Sequence, residues 1–402
     1  MKPVHLRRLA ALALGSLLAL GLGWAWWLRH AAAQRAEYEA QARRIRELVA
    51  EHARESPAPA APTPSASTRT PESRPFYLAP DVAAQLFPRD RSSEIYDPWS
   101  YYHHKPSLTL SVPWPEHPDG KWSWTTNSLG LREDRELSTT QPDVRILVTG
   151  DSHTDGFCNN AESFPHVAER LLARDLPGRS IEVINAGNGG FSFHNYLGVL
   201  ERFLDAKPDA FVVAVYPGND FKELLAPNAW FEHVPLVEPT QEQADLLARL
   251  GEISSPASVQ FFHSLAWFHL HPEEVETSVA AALGLLERMR AICDEHKIRF
   301  LCVMLPSAID LPWGQNAELF ERMRAASSMS REDLRGNERM AEELLARLRA
   351  KGCDTLDARE SLRAVEGPCH WIKDLHLNVR GHTALAQALA QKLESFGGRF
   401  AR

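Results

Sequence analysis

The residues most able to do chemistry begin with a serine at position 152. Six residues, Val144-Arg145-Ile146-Leu147-Val148-Thr149, read as a short buried strand that breaks at Gly150-Asp151-Ser152. A serine on a strand-to-helix turn can act as a nucleophile once a base takes its proton. Backbone N–H groups at the start of the following helix can hold the oxyanion that develops. Alone, the tripeptide reads as an ordinary β–α turn. Three further stretches change its meaning. Asn185-Ala186-Gly187-Asn188-Gly189-Gly190-Phe191-Ser192 has three glycines, which let backbone N–H groups approach a ligand. Pro217-Gly218-Asn219-Asp220 offers a side-chain amide as a donor. Asp374-Leu375-His376 offers an imidazole to take the serine proton, and a carboxylate to fix its tautomer and stabilise its charged form. A nucleophile, a base and donors for an oxyanion are what acyl transfer needs.

These residues require a scaffold that brings them together. Strand patterns occur at 145–148, 181–184, 210–215 and 300–304, with a short fifth near 355–356. Helical patterns occur at 161–174, 193–204, 275–296, 331–350 and 379–395. Such alternation predicts an α/β fold, a three-layer α/β/α sandwich around a parallel sheet. Ligands of open sheets bind beyond the carboxyl ends of the strands. Ser152, the glycine loop and Asn219 each follow a predicted strand, and His376 precedes the last helix.

The four stretches occur in the order of the sequence blocks of the SGNH (GDSL-type) hydrolase superfamily, and the chain resembles that superfamily over about residues 144–397. The resemblance implies a flavodoxin-like sandwich and a serine esterase or acyltransferase site. Ser152 would be the nucleophile and His376 the base. The oxyanion hole would be the Ser152 N–H, the Gly190 N–H and the Asn219 side chain. One position departs from the pattern: the usual acid lies three residues before the histidine, where this chain has Lys373. Asp374, two residues before His376, is the candidate acid, and a backbone carbonyl is the alternative partner of the ring. The stretch from Asn127 to Arg132 also resembles a pattern seen in membrane-anchored members.

Other polar residues invite less. His153, beside the nucleophile, has a structural or a substrate-facing role. His382 is expected to pack or to lie at the surface, and Asp155 and Asp220 to cap helices or brace loops. His103, His104, His269 and His271 lack acidic partners at ligand spacing, so neither a metal nor a cofactor is expected. Of the five cysteines, Cys353 and Cys369 are the first pair to consider for a disulfide, should the domain be exported.

Residues 76–142 form an aromatic-rich subdomain with strands near 107–112 and 121–126; its rings either line a sugar subsite or replace a thin core. The main domain, 143–402, carries insertions near 221–274 and 307–330. Both follow strands on the candidate catalytic side, so they are placed to act as a lid or as peripheral helices. At the N-terminus, residues 9–28 carry no charge and are long enough to cross a bilayer, with Lys2, Arg7 and Arg8 before them and Trp24, Trp26 and Trp27 at the far end. Residues 1–30 are thus expected to be a membrane anchor, with a cleaved signal peptide as the rival. Residues 31–75 would be a helical stalk, solvated rather than packed, and then a disordered Pro/Ala/Ser-rich linker. The domain would face outside the cytoplasm, in the periplasm of a Gram-negative cell. The net charge is −8 with no basic patch in the second half, so nucleic acid is not an expected partner.

Together these readings point to a membrane-tethered serine esterase acting on an O-linked acyl group of a carbohydrate or similar polar substrate. An O-acyltransferase that modifies an extracytoplasmic polysaccharide shares every proposed catalytic residue. A glycan-binding module on the same fold needs none of them.

Overall fold

The computed structural model describes residues 40–54, 70–90, 92–251, 253 and 260–396. The candidate membrane span and residues 55–69 of the linker lie outside them. Among the described residues no helix is long and apolar enough to cross a membrane.

Two antiparallel hairpins precede the main sheet: β1 (Glu94–Asp97) with β2 (Tyr101–His104), and β3 (Thr109–Pro113) with β4 (Lys121–Thr125). The sheet itself comprises β5 (Val144–Gly150), β6 (Ile181–Asn185), β7 (Ala210–Val215), β8 (Arg299–Met304) and β9 (Asp354–Asp357). All neighbours are parallel, in the order β6-β5-β7-β8-β9. The strand order reverses at β5, which puts Ser152 at the switch point where ligands of such sheets bind.

Both faces of the sheet are covered, and the two-residue period of the strands divides them. Leu147, Phe211, Val213, Val215, Phe300, Cys302 and Met304 face one core with the helices Phe193–Arg202, Glu273–Glu295 and Gly336–Ala350. Ile146, Val148, Val183, Val212, Ala214, Leu301 and Val303 face the other, with Phe164–Asp175 and Val379–Glu394. Cys353 belongs to the first core and Cys369 to the second, and all five cysteines are buried free thiols. The sheet therefore separates the two residues considered for a disulfide.

One expectation changes on contact with the structure, and the packing of two further segments is now defined. The stalk helix is not solvated over 40–54. Val49 is fully buried in the first core with Ile45 and Leu48 against it, and the His52 ring stacks on Trp230 at 3.7 Å. Its narrow apolar stripe thus docks on the first insertion. Tyr101, Tyr102, Trp122 and Trp124 are buried and serve as core, whereas Tyr96, Trp99 and Trp114 are half-buried. The two insertions and their flanks also share a third core, in which Leu246, Leu250, Phe261, Phe262 and Leu265 meet Ala308, Ile309, Phe320, Met323, Met329 and Leu334, with Leu375 joining from outside.

Candidate active site

The end of β5 is built around Gly150. A β-carbon there would meet the Thr154 Oγ1 at 2.0 Å and the Ala214 carbonyl at 2.7 Å, so only glycine lets the chain turn this tightly between β5 and β7. The chain then enters a one-turn helix, Ser152–Asp155, and ends it at Gly156. Asp151 caps this turn by accepting from the His153 N–H at 2.9 Å. The helix expected from residue 161 begins only at Phe164, after this separate turn. Ser152 therefore sits in the first turn, where a backbone N–H has no partner within the helix.

The Ser152 Oγ lies 2.8 Å from the His376 Nε2, across 224 residues of sequence. The His376 Nδ1 lies 2.5 Å from the Asp374 Oδ1, which also accepts the His376 backbone N–H at 3.1 Å. The structure thus brings Ser152, His376 and Asp374 into one hydrogen-bonded chain, with the ring nitrogens in the order that base chemistry needs. Asp374 reaches the ring despite the short spacing because Leu375 between them adopts φ +69°. Lys373, at the usual position of the acid, points its backbone N–H at Glu116 and contributes no carboxylate.

The imidazole is clamped from outside the motif. Phe157 stacks on His376 with centroids 4.0 Å apart and planes 12° apart. The Trp371 indole N–H donates to the Phe157 carbonyl at 3.1 Å, and the Trp371 backbone N–H donates to the His376 carbonyl at 2.8 Å. Trp114 and Trp122 of the second hairpin lie edge-on or tilted against Phe157. Glu116, in the same hairpin, accepts the Ile372 and Lys373 N–H groups at 2.6 and 3.1 Å.

The segment carrying Phe157 is held in turn by Arg132, whose side chain is fully buried between the rings of Trp122 and Trp124. Arg132 donates to the carbonyls of Asp155, Gly156 and Cys158, and to the side chains of Asp155 and Asn160. Burial pushes the Asp155 carboxyl up, but His104 and Arg132 beside it hold it on balance below its usual range. Asp155 is thus a brace, as is Asp220, which accepts from the Tyr196 hydroxyl and the Tyr216 N–H.

Three donors were expected for the oxyanion. The Ser152 N–H and Gly190 stand at the ends of neighbouring strands β5 and β6. Gly190 has φ +72°, a conformation costly for other residues, and is exposed. Among the described residues nothing takes its N–H. Asn219, at the end of β7, is buried and gives one amide hydrogen to the Glu223 Oε1 at 3.1 Å, which leaves a second N–H on the same nitrogen. No hydrogen bond joins Asn219 to Ser152. Glu223 orients Asn219 from one helical turn later and was not singled out in the sequence, although the four-residue spacing was there to read.

His153 is buried between Tyr216 (3.9 Å between centroids) and His376 (4.7 Å), and its Nδ1 accepts the Leu377 N–H at 3.4 Å. Burial holds its pKa well below the usual range, so it is a neutral support for the His376 loop. His382 is fully buried. Its Nδ1 accepts the Phe164 N–H at 3.2 Å, and burial pushes its pKa down to about 3. Burial raises the carboxyl of Asp151, whose Oδ2 is 3.5 Å from the Ser152 Oγ, to about 7.

No protein-family profile and no curated protein matches the chain. Among solved structures, the chain is similar to a lipase/acylhydrolase from Enterococcus faecalis at 14% identity, over 63% of this chain and 96% of that one, with a TM-score of 0.36. It is similar to a GDSL-like lipase from Bacteroides thetaiotaomicron at 12% identity, over 64% and 92%, with a TM-score of 0.31. It is similar also to a catalytic mutant of an acetylxylan esterase from Geobacillus stearothermophilus at 12% identity, over 64% and 96%, with a TM-score of 0.36. Likenesses this distant carry no chemistry over to this chain.

Proposed function

We propose that this protein is a serine esterase of the SGNH type that works through an acyl-serine intermediate. The observation that carries the reading is the Ser152–His376–Asp374 chain, with its 2.8 Å contact between nucleophile and base. In the first half-reaction the Ser152 Oγ attacks the ester carbonyl and its proton passes to the His376 Nε2. The C=O electrons move onto the oxygen, which the Ser152 and Gly190 N–H groups and the free N–H of Asn219 stabilise. The tetrahedral species collapses, the C–O bond to the alcohol breaks, and His376 returns the proton to the leaving oxygen. Water then attacks the acyl-serine, again giving a proton to His376, and the acid leaves as the serine hydroxyl re-forms. Asp374 holds the Nδ1–H tautomer and stabilises the imidazolium in both halves.

The acylated partner in this proposal is a carbohydrate or similarly polar alcohol carrying a short acyl group. The rim beside His376 exposes both Lys373 and the apolar Ile372, so the choice of acylated partner is put to the substrate comparison below. The same proposal keeps an N-terminal anchor and an extracytoplasmic catalytic domain, which protease protection in intact cells tests directly.

The deciding experiment treats the purified protein with a fluorophosphonate probe and measures turnover of p-nitrophenyl acetate, alongside Ser152→Ala. The expected result is labelling and hydrolysis by the wild type and neither by the variant. Equal turnover by Ser152→Ala removes the mechanism. Acetylated sugars turned over no faster than long-chain p-nitrophenyl esters would remove the polar-substrate part alone.

A further inference from the structure

We infer that Leu375 is a positioning residue through which the helical insert holds the acid and base in register. The inference rests on the esterase reading above. With a single residue between Asp374 and His376, the carboxylate folds back onto both the backbone N–H and the ring of His376 only while Leu375 keeps its left-handed conformation, φ +69°. That region suits glycine or asparagine, and a leucine there is disfavoured by its own β-carbon. The neighbouring hydrogen bonds, Leu375 N–H to the Trp371 carbonyl at 3.1 Å and Trp371 N–H to the His376 carbonyl at 2.8 Å, fasten the backbone on either side of the turn. They leave the choice of a leucine unexplained.

Its side chain explains it. Leu375 is buried in the third core. Every other member of that core among the described residues comes from 246–334, the two insertions and the segments flanking them. Leu375 is the one member from the His376 loop. The insert therefore grips the loop at the residue between acid and base. A residue kept in a disfavoured conformation by surrounding packing is poised to relax when that packing loosens. Loss of the grip would let Asp374 leave the ring while Ser152 and the oxyanion donors, on other strand ends, stay in place.

A double-mutant cycle on p-nitrophenyl acetate turnover by the full chain tests this. Leu375→Ala should lower kcat by roughly tenfold or more with KM within about twofold, since the pair acts in the transition state. In an Asp374→Ala background the same change should cost less than about twofold more, because the contact it protects is already gone. Leu375→Met, which refills the space, should restore kcat to within roughly threefold of wild type. Should Leu375→Ala not fold, Phe320→Leu in the same core, with and without Asp374→Ala, makes the same comparison. Equal losses in both backgrounds, or wild-type kcat in Leu375→Ala, overturn the inference. Wild-type protein without Ser152-dependent turnover overturns the esterase reading instead.

Discussion

Arg132 offers the sharpest test of how the site is held. Its guanidinium is fully buried, and its three nitrogens reach acceptors spread from residue 155 to residue 160. A planar fork can serve so broad a set of acceptors at once, whereas the ammonium of a lysine is a single point with three donors. Arg132→Lys keeps the charge and loses the reach. At roughly 1.5–3 kcal/mol for each hydrogen bond to a charged group, losing two of them costs about 3–6 kcal/mol before the loop relaxes. Arg132→Met removes the charge and leaves the Asp155 carboxylate with His104 alone, 3.1 Å away, and breaking a buried pair in this way costs about 3–5 kcal/mol. Relaxation and water entry should bring the lysine variant to about 2–4 kcal/mol, a large share of the roughly 5–15 kcal/mol that folds a typical domain. Urea unfolding followed by tryptophan fluorescence, extrapolated linearly to zero denaturant, measures both. Because the segment held by Arg132 carries Phe157 against His376, kcat should fall in the lysine variant even at temperatures where it is fully folded. An Arg132→Lys protein within about 0.5 kcal/mol of wild type and with unchanged kcat would refute the reasoning.

Removing the acid with Asp374→Ala should lower kcat on p-nitrophenyl acetate by about 10²–10⁴-fold while Ser152→Ala abolishes it; equal losses in the two would mean that Asp374 does more than orient and stabilise the ring. Phe157→Leu keeps an apolar cover but loses the stack at 4.0 Å, so kcat should fall several-fold with stability changed by about 1 kcal/mol or less, and a wild-type kcat would show that the stack is idle. His382, with its pKa pushed down to about 3 by burial, stays neutral in the folded chain while the unfolded chain takes up a proton below about 6.5. Its contribution is therefore complete above that value and is lost as pH falls towards 3. Between pH 7 and 5 the loss is about 2 kcal/mol. His382→Gln can still accept the Phe164 N–H and has no proton to gain, so its stability deficit against wild type should shrink by that amount over the same range. Parallel urea-unfolding stabilities at pH 7 and pH 5 would contradict it.

The parts of the site that were legible in the sequence are those fixed by short-range pattern. Alternation places Ile146 and Val148 on one face and Leu147 on the other, so the strand before Ser152 could be read locally, and the strand-end rule then points to Ser152, the glycine loop 185–192 and Asn219 without any knowledge of contacts, while the choice of Gly190 within that loop comes from the family resemblance. What could not be read is what aims those groups. Phe157 meets His376, Arg132 meets the 155–160 segment, and Glu116 meets the Lys373 N–H only through pairings between distant parts of the chain. No periodicity encodes such pairings. The β1–β2 hairpin escaped for the same reason: Glu94–Asp97 and Tyr101–His104 are too short to establish a period, and they form a hairpin around a tyrosine at φ +70° that a sequence reading assigns to no turn. Leu375 is the extreme case, because a leucine in the left-handed region contradicts its own local preference, and only the insert core explains it. The division is physical: the sheet fixes where the strand ends lie, whereas orienting an imidazole needs contacts on its face, its Nδ1 and its backbone. Those come here from Phe157 on the ring face, Asp374 at Nδ1 and Trp371 on the backbone, with the second hairpin packed behind Phe157 and the insert core behind Leu375. An imidazole on a loop such as 369–378 is held by its own loop and by what packs behind it, so contacts that no local pattern encodes help to decide whether His376 meets Ser152 at hydrogen-bonding distance.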